Sequence, residues 1–502
     1  MGDSSIEVNR GQGEMGEMPR KQEVEWGGME PAVEGAAAPV AGADSKGLDG
    51  SGTWDWRQIG RQVMDLPRSR VFRGSASNST YSLMEYVAQP ALMLVSAPYL
   101  VGRLGLDRYG IWMLVSSFAG TIGIFQIGLG DATIKYVSAY RGRGDREGVA
   151  RIISGTLALS GLLGALPALV LFLAAPFLVH HVFRINPSDY REAIRGIQVG
   201  GLILWIQGIY QVFSNALKAY EEYGPPARIS VLVKSATIAG AVGLVALGHG
   251  VVAILAATFA VISAGAWMQA VAMRRILQVS SFWPRFDRGT WREILGFGVY
   301  SWIQNAAGVA FGQADRLLIA MMLGTASLTY YTLCVQVAQQ IHGLAVAAFG
   351  FLFPHISAKH EAGNRKGVRH VFRLALLMNV GLSLVLATPL VLMGRRLLTI
   401  WMGPAFAERS YLVLAVLAVG FFTLSINVVP HMTLLGLGRV RFLSVSNLIG
   451  GVCSLAGAAL LIPAFGLAGA AAGRLLYGPV ISANYWAVAK SLSQPTPVRG
   501  RE

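Results

Sequence analysis

The sequence has little cysteine and little charge. Of its 502 residues two are cysteine, and only 14% are Asp, Glu, Lys or Arg. Cys334 and Cys453 both lie inside long apolar runs, which leaves neither a disulfide framework nor a cysteine-based metal cluster. The eight histidines show no metal-ligand spacing on one helix face. The sequence therefore predicts no metal and no cofactor.

Signatures of chemistry are also missing. The chain has no GxxxxGK[ST] phosphate loop of the kind that marks an ATP-driven pump. A search for a general acid, a nucleophile or a metal-bound catalyst finds no convincing group of residues. We therefore expect a protein that is not an enzyme.

Apolar residues are abundant: they make up 53% of the chain, which is typical of a membrane protein. The net charge of +15 comes mostly from Lys and Arg in short loops between apolar runs, rather than on one amphipathic face. This distribution is a topology signal, so no nucleic-acid partner is expected.

The two ends of the chain differ from the apolar body. Residues 1–53 are rich in Gly, Glu and Ala and lack a signal-peptide core, which predicts a disordered cytoplasmic tail. Residues 54–77 are either an interfacial amphipathic helix, with Arg68, Arg70 and Arg73 near anionic membrane lipids, or a solvated linker. Residues 491–502 are predicted to form a second cytoplasmic tail.

The apolar body divides into segments of about 20 residues, the length that spans a bilayer. Twelve segments fit, six in a first lobe (78–272) and six in a second (294–490), joined by a cytoplasmic linker (273–293). Their approximate bounds are 78–101, 109–134, 152–178, 194–215, 227–247, 251–272, 294–322, 326–353, 371–393, 411–436, 442–463 and 467–488. The predicted fold is an all-α integral membrane protein.

A repeat supports this division. The stretch Ser138–Val149 recurs 219 positions later as Ser357–Val368, and the same offset pairs Leu104-Gly105 with Leu323-Gly324. Because each repeat contains an even number of spans, the lobes should be related by a pseudo-twofold axis along the membrane normal, with a cavity between them. In this register Asp315-Arg316 lies opposite Ser96-Ala97.

The loops on one side of the twelve spans hold more than twice as many Lys and Arg residues as the loops on the other. The positive-inside rule then places the repeated loops, the linker and both termini in the cytoplasm.

Several short motifs resemble those of bacterial polysaccharide transporters, the O-antigen and exopolysaccharide flippases. They are PYLVGRLGLDRYGIW (98–112), GLGDA (128–132), ALKAY (216–220), DRLLI (315–319), LLGLGR (434–439) and LIPAFGLAGA (461–470), and the resemblance covers about residues 74–490. It implies the multidrug, oligosaccharidyl-lipid and polysaccharide exporter superfamily. The substrate implied is an oligosaccharide linked through pyrophosphate to a polyprenol, and a polysaccharide polymerase or other assembly proteins are implied partners.

Moving an anionic head group across about 30 Å of hydrocarbon requires cationic and polar groups inside the protein. Arg316 and Arg474 lie at comparable depths in the seventh and twelfth spans, and a guanidinium fork suits pyrophosphate. The alternative is that each pairs with Asp315 or a carbonyl and packs the second lobe. Lys234 either binds substrate or extends to the inner headgroups.

Amides and helix breakers complete the set of candidates. Amide side chains in the seventh and eighth spans can bind sugar hydroxyls or join helices, namely Gln304, Asn305, Gln336 and Gln340. In the first span Glu85 is a candidate coupling or gating group, and Pro90 and Pro98 can bend the helix to open a side gate. Asp131 and Asp315 are also candidates for coupling, although Asp131 can simply pair with Lys135 at a helix end.

The sequence therefore predicts a flippase that works by alternating access between two lobes. Two alternatives stay open: a drug and cation antiporter of the same superfamily, and a non-transporting scaffold for a glycan-assembly complex.

Overall fold

The computed structural model describes residues 90–122, 124–277, 283–285 and 287–493, with the side chains of 119, 121–128, 297–311 and 354 outside the description. The predicted tail 1–53, the segment 54–77, Glu85 and residues 494–502 lie outside the described residues. The predictions made for them stay predictions.

The first half of the described chain is helical. Its helices are α1 (Pro90–Leu104), α2 (Leu106–Ile122), α3 (Ile124–Gly142), α4 (Arg146–Phe177), α5 (Tyr190–Ala219), α6 (Gly224–Ala246) and α7 (Val251–Leu277). A five-residue π-helix, Leu178–Val182, extends α4, and a short 3₁₀ turn, Pro187–Asp189, precedes α5.

The second half repeats this pattern with more interruptions. Its helices are α8 (Arg288–Met322), α9 (Thr325–Phe349), α10 (Leu352–Glu361), α11 (Arg365–Leu392), α12 (Gly394–Met402), α13 (Pro404–Ile426), α14 (Val428–Gly436), α15 (Val440–Leu475) and α16 (Tyr477–Ser493). Helix α15 changes direction at Gly466, whose φ of 56° is outside the helical region. The predicted eleventh and twelfth spans are the two sides of this kink.

Eight helices, or runs of adjoining helices, in the described residues are long and apolar enough to cross a membrane. Helix α8 is not among these eight, although it is 35 residues long. Polar and charged residues, among them Asp315 and Arg316, make it less apolar than the others. Helices α2 and α3 together occupy the predicted second span. The all-α, twelve-span, two-lobe architecture is confirmed.

The backbone turns repeat as the 219-residue register predicts. Gly105 and Gly324 have φ values of 83° and 88°, and Gly144 and Gly363 have 72° and 68°. Asp145 caps α4 by accepting from Gly148 N at 2.8 Å, and Asn364 caps α11 by accepting from Gly367 N at the same distance. Because each pair has the same local conformation, the two lobes are copies of one helical unit.

The core is arranged differently at the two ends of the bundle. At the end that holds Gly105 and Gly324, called the Gly105 end, one apolar cluster contains side chains from both lobes, including Tyr109 and Ile111 of α2 and Leu328 of α9. At the opposite end, called the loop end because it holds the repeated loops, each lobe has its own apolar cluster. The two lobes thus share one apolar cluster at the Gly105 end, whereas the clusters at the loop end are separate except that Ile294 of α8 belongs to that of the first lobe.

Candidate functional site

The charged residues predicted within the spans meet at one place in the second lobe. Asp315 and Arg316 lie in the last third of α8, Tyr331 lies in α9, and Arg474 lies in α15 beyond the kink at Gly466. Helix α8 packs against α15, so residues 159 positions apart in the chain are brought together.

Asp315 is the centre of this group. Its Oδ2 accepts from Arg474 Nε at 2.8 Å, from Arg474 Nη2 at 2.6 Å and from the Tyr331 hydroxyl at 2.6 Å. Its Oδ1 accepts from the backbone N of Arg316 at 2.8 Å. The carboxylate is only 5% exposed, so its charge and its lone pairs are satisfied by the protein itself.

Arg474 is held at one edge and one face of its guanidinium group. It forms the ion pair with Asp315, and its Cζ lies 5.1 Å from the centroid of the Phe421 ring. This is the packing alternative given above for Arg474. The same guanidinium lines a cavity of about 250 Å³ that also contains His342 and Tyr477, so one side of Arg474 still faces open space.

Arg316 has a different environment. Its Nη1 donates to Gln313 Oε1 at 3.0 Å, and its Nε is buried without a hydrogen-bond partner. Gln313 lies against the first lobe: a Cβ on Gly120 of α2 would be 2.9 Å from the Gln313 side-chain carbonyl carbon. Since Asp315 and Arg474 cancel each other, the charge of Arg316 is left in excess beside the seam between the lobes.

Lys234 lies in the first lobe, apart from this group. It lines a cavity of about 470 Å³ between α2, α5, α6 and α7, together with Trp112, Gln207, Tyr210 and Gln211. It is ten residues beyond the first residue of α6, or about 15 Å along the helix. The structure therefore places Lys234 in a cavity between helices whose lining is partly polar.

The predicted amides are less informative. Gln340 Nε2 donates to the Gln336 backbone carbonyl at 2.9 Å within α9, and Gln336 Oε1 is buried without a partner. The side chains of Gln304 and Asn305 lie outside the described residues. Pro90 begins α1, Pro98 lies half-buried within it, and Asp131 lies in α3. The binding, coupling and gating roles of these residues stay predictions.

A contact that sequence reasoning missed closes the Gly105 end. Thr325 Oγ1 of α9 donates to Asp107 Oδ1 at 2.8 Å, and Thr329 Oγ1 donates to the Leu106 carbonyl at 2.7 Å. Gly110 of α2 touches the α9 backbone so closely that an added Cβ would be 2.0 Å from the Thr325 carbonyl oxygen. We call these five residues the seal.

Two further bonds join the lobes at the same end. The Arg184 backbone N donates to the Ala320 carbonyl at 3.2 Å, and Trp401 Nε1 of α12 donates to the Leu94 carbonyl of α1 at 2.8 Å. The only sequence signal for the seal was the repeated Leu-Gly pair, which marked the turn positions without indicating that the turns touch.

At the loop end, α8 and the segment before it contact the first lobe. Tyr140 hydroxyl donates to Glu293 Oε1 at 3.3 Å, and the Arg285 backbone N donates to the Ser154 carbonyl at 3.3 Å. Ile294 belongs to the apolar cluster of the first lobe, whereas the second lobe's cluster is built from α9 to α16. The lobes therefore touch at both ends, through the seal at the Gly105 end and through α8 and the segment before it at the loop end.

Comparison with known protein families identifies the family of this chain. Residues 75–360 match the family model described as polysaccharide biosynthesis protein. The chain belongs to this family. The resemblance seen in the sequence is confirmed, and this polysaccharide biosynthesis family member is a multi-pass membrane protein with a transporter fold.

Among its relatives is a putative O-antigen transporter of Shigella flexneri, which is 22% identical over 404 residues, 78% of this chain and 92% of the relative. A probable multidrug resistance protein NorM of Rhizobium meliloti is 24% identical over 310 residues, 58% of this chain and 63% of that protein. An inward-facing multidrug resistance MATE transporter has the same fold, with a TM-score of 0.67 at 15% identity, covering 83% of this chain and 94% of the transporter.

Proposed function

We propose that this protein is a flippase that carries polyprenyl-pyrophosphate-linked oligosaccharides across the bacterial cytoplasmic membrane by alternating access. The observation that supports this proposal is Arg316. Its charge is not cancelled by Asp315, its Nε is buried without a partner, and it lies where the two lobes meet. A buried guanidinium with an unused donor is suited to a pyrophosphate oxygen.

The seal and the charge distribution suggest a direction. The Gly105 end is closed in the described conformation, and the loop end carries the excess of basic loops that the positive-inside rule assigns to the cytoplasm. On this topology, with both termini in the cytoplasm, the protein would accept its substrate from the inner leaflet. Rocking of the lobes would open the seal and release the oligosaccharide on the far side.

The membrane potential favours this direction of transport. Moving one negative charge outward, toward the positive side, is downhill by about 2.3 kcal/mol per 100 mV. A pyrophosphate diester carries more than one ionisable oxygen, so the potential alone gives a substantial bias. We expect the polysaccharide polymerase, or another assembly protein on the outer face, to take up the product.

Reconstitution of the purified protein into proteoliposomes tests the proposal. A polyprenyl-pyrophosphate oligosaccharide with a fluorescent label on its sugar is added, and label that crosses the bilayer is scored by its protection from an external glycosidase. Arg316→Ala should reduce the rate roughly tenfold or more, because a hydrogen bond to a charged group contributes about 1.5–3 kcal/mol. Arg373→Ala is the matched control, since Arg373 is an exposed arginine of α11.

Undiminished flipping by Arg316→Ala, with a normal level of folded protein, would remove the main support for the proposal. Arg316→Lys separates charge from geometry, because a lysine keeps the charge but loses the planar fork. We expect it to retain only part of the rate.

Drug and cation antiport is the second candidate, favoured by the similarity to the NorM-type relative and to MATE transporters. An antiporter needs a carboxylate available for a cation, and Asp315 is engaged by Arg474, Tyr331 and the Arg316 backbone. A drug-efflux assay in a pump-deficient host distinguishes the two: export of cationic drugs that depends on Asp315 would support the antiporter.

A further inference from the structure

A groove on the side of the first lobe is separate from both interior cavities. It has a volume of about 450 Å³, and its walls come from α4 and α5, with Trp283 and Pro284 of the segment that leads to α8 closing one end. Its lining is almost wholly apolar and includes Leu157, Leu162 and Phe213. The groove therefore has the composition of a site for a hydrocarbon chain.

The groove opens outward, toward the bilayer. Leu162 on its rim is 51% exposed, and further along α4 large apolar side chains such as Leu166 and Leu173 are exposed as well. This face of α4 is suited to contact with lipid tails. The indole of Trp205 is fixed as one wall, because its Nε1 donates to the Gly161 carbonyl at 3.0 Å.

One end of the groove has the character of a headgroup region. Arg274, in the last turn of α7, is the one charged side chain among the described residues of the lining, and Trp283 beside it is 75% exposed. Exposed tryptophan and arginine side chains are typical of the level at which lipid headgroups lie. A chain that fills the groove would thus carry its headgroup close to Arg274.

The charge around this end favours an anion. The segment 273–293 contains five arginines and two acidic residues. Both acids are already engaged: Asp287 caps α8 by accepting from Thr290 N at 3.0 Å, and Glu293 accepts from the Tyr140 hydroxyl at 3.3 Å. The hydrogen bonds from Thr290 lower the pKa of Asp287, so this carboxylate stays ionised, and the five arginines still exceed the two acids by three charges.

We infer that the groove binds one chain of an anionic phospholipid, with the lipid phosphate at Arg274. A bound chain packs against Trp283 and Pro284 and so holds this segment on α4, where Arg285 N already donates to the Ser154 carbonyl. The segment joins the two lobes, so the anionic lipid content of the membrane would set how firmly the linker is docked. This inference does not depend on which substrate the protein transports.

The experiment measures lipid retention by native mass spectrometry. Delipidated, purified full-length protein is titrated with phosphatidylglycerol or phosphatidylcholine, and bound lipids are counted. Wild type should retain one phosphatidylglycerol more tightly than any phosphatidylcholine. Arg274→Gln should weaken that site about fivefold, which corresponds to about 1 kcal/mol per basic residue at a membrane surface.

Filling the groove provides the sharper variant. Gly161 lines the groove and a Cβ there would have no heavy atom within 4 Å, so we expect Gly161→Phe to fill the groove with its ring and to abolish the tight site. Gly243→Phe is the matched control, because Gly243 is an exposed glycine of α6 with the same free space. If Gly161→Phe does not fold, Leu162→Trp fills the groove from its exposed rim.

Two results would overturn the inference. One is equal affinity of wild type for the two lipids. The other is a tight phosphatidylglycerol site that persists in both groove-filling variants. A third arm tests the substrate tail: if a polyprenyl monophosphate displaces phosphatidylglycerol from the groove of wild type, the groove belongs to the isoprenoid chain and the phospholipid assignment is wrong.

Discussion

The two lobes share a backbone plan but differ in their interiors. Asp315 and Arg316 of the second lobe correspond, at the offset of 219, to Ser96 and Ala97 of the first. Ser96 is buried, and its hydroxyl donates to the Met93 carbonyl of its own helix at 3.4 Å. The kink at Gly466 matches the positive-φ turn at Gly248 at an offset of 218, one residue less than the register, and this offset places Arg474 opposite Ala256.

The two lobes therefore share their turns and helix packing, whereas substitutions at single positions give the second lobe its buried charges. Three positions that are small or weakly polar in the first lobe are charged in the second. Two of these charges compensate each other, because Arg474 pairs with the carboxylate of Asp315, while the charge of Arg316 is left in excess. Asp315 or Arg474 without the other would be a largely buried, uncompensated ion.

The largest expected effect on stability comes from removing the ion pair between Asp315 and Arg474, which the first lobe lacks. Asp315→Asn leaves Arg474 buried without a counter-charge, and removing one partner of a buried ion pair costs about 3–5 kcal/mol. Thermal unfolding in detergent should show a large loss of stability. Ser96→Ala, at the matching position of the first lobe, should change stability by less than about 1 kcal/mol, since it removes one weak hydrogen bond.

The double variant Asp315→Asn/Arg474→Gln sharpens this test. If the cost arises from the unpaired charge, removing both charges should recover much of the stability lost in Asp315→Asn. A double variant no more stable than the single one would show that the ion pair is not what the first substitution disrupts.

The next effect concerns the contrast between the seal at the Gly105 end and the contacts of α8 at the loop end. Gly110→Ala places a methyl group where the Thr325 carbonyl lies, so α2 and α9 must separate, at a cost typical of overpacking, about 1–3 kcal/mol. Cysteines introduced at Asp107 and Thr325 report the seal through disulfide formation. Cross-linking should be efficient without the Gly110 change and at least several-fold lower with it.

Gly102→Ala is the matched control for the seal. Gly102 lies in α1 on the approach to the same turn, and a Cβ there has no heavy atom within 4 Å. Cross-linking that is equally low in Gly102→Ala, or unchanged in Gly110→Ala, would mean that the close contact between α2 and α9 does not hold the Gly105 end shut.

The sequence predicted the spans and the duplication well because both depend on local properties. Hydrophobic runs of bilayer length predict helices, and a glycine such as Gly105 or Gly324 is the residue that accommodates a positive φ. The rule that an ionisable residue within a span is functional also selected Asp315, Arg316 and Arg474 together.

The remaining features depend on contacts between distant residues. No local pattern indicates that Arg474, rather than Arg316, pairs with Asp315, because that choice is made by the packing of α8 on α15. The helix α12 lies in a predicted loop, and its Trp401 is tied to α1 across the lobes. The seal uses threonines at an ordinary helix start, which carry no signal of their own.

The smallest effect tests how far the lobes are equivalent at the repeated loops. Asp145 and Asn364 each accept a hydrogen bond from the third backbone N–H of the following helix, at 2.8 Å in both lobes. Replacing either by Ala should cost about 0.5–2 kcal/mol, the usual value for a lost N-cap, and the two costs should be similar because the geometry is the same.

Asp145→Asn should be nearly neutral in thermal unfolding, since Asn already performs this capping in the second lobe. A loss for Asp145→Asn as large as for Asp145→Ala would show that the charge of Asp145, near Arg143 and Arg146, matters more than its cap, and that the two loops differ in function despite their common backbone.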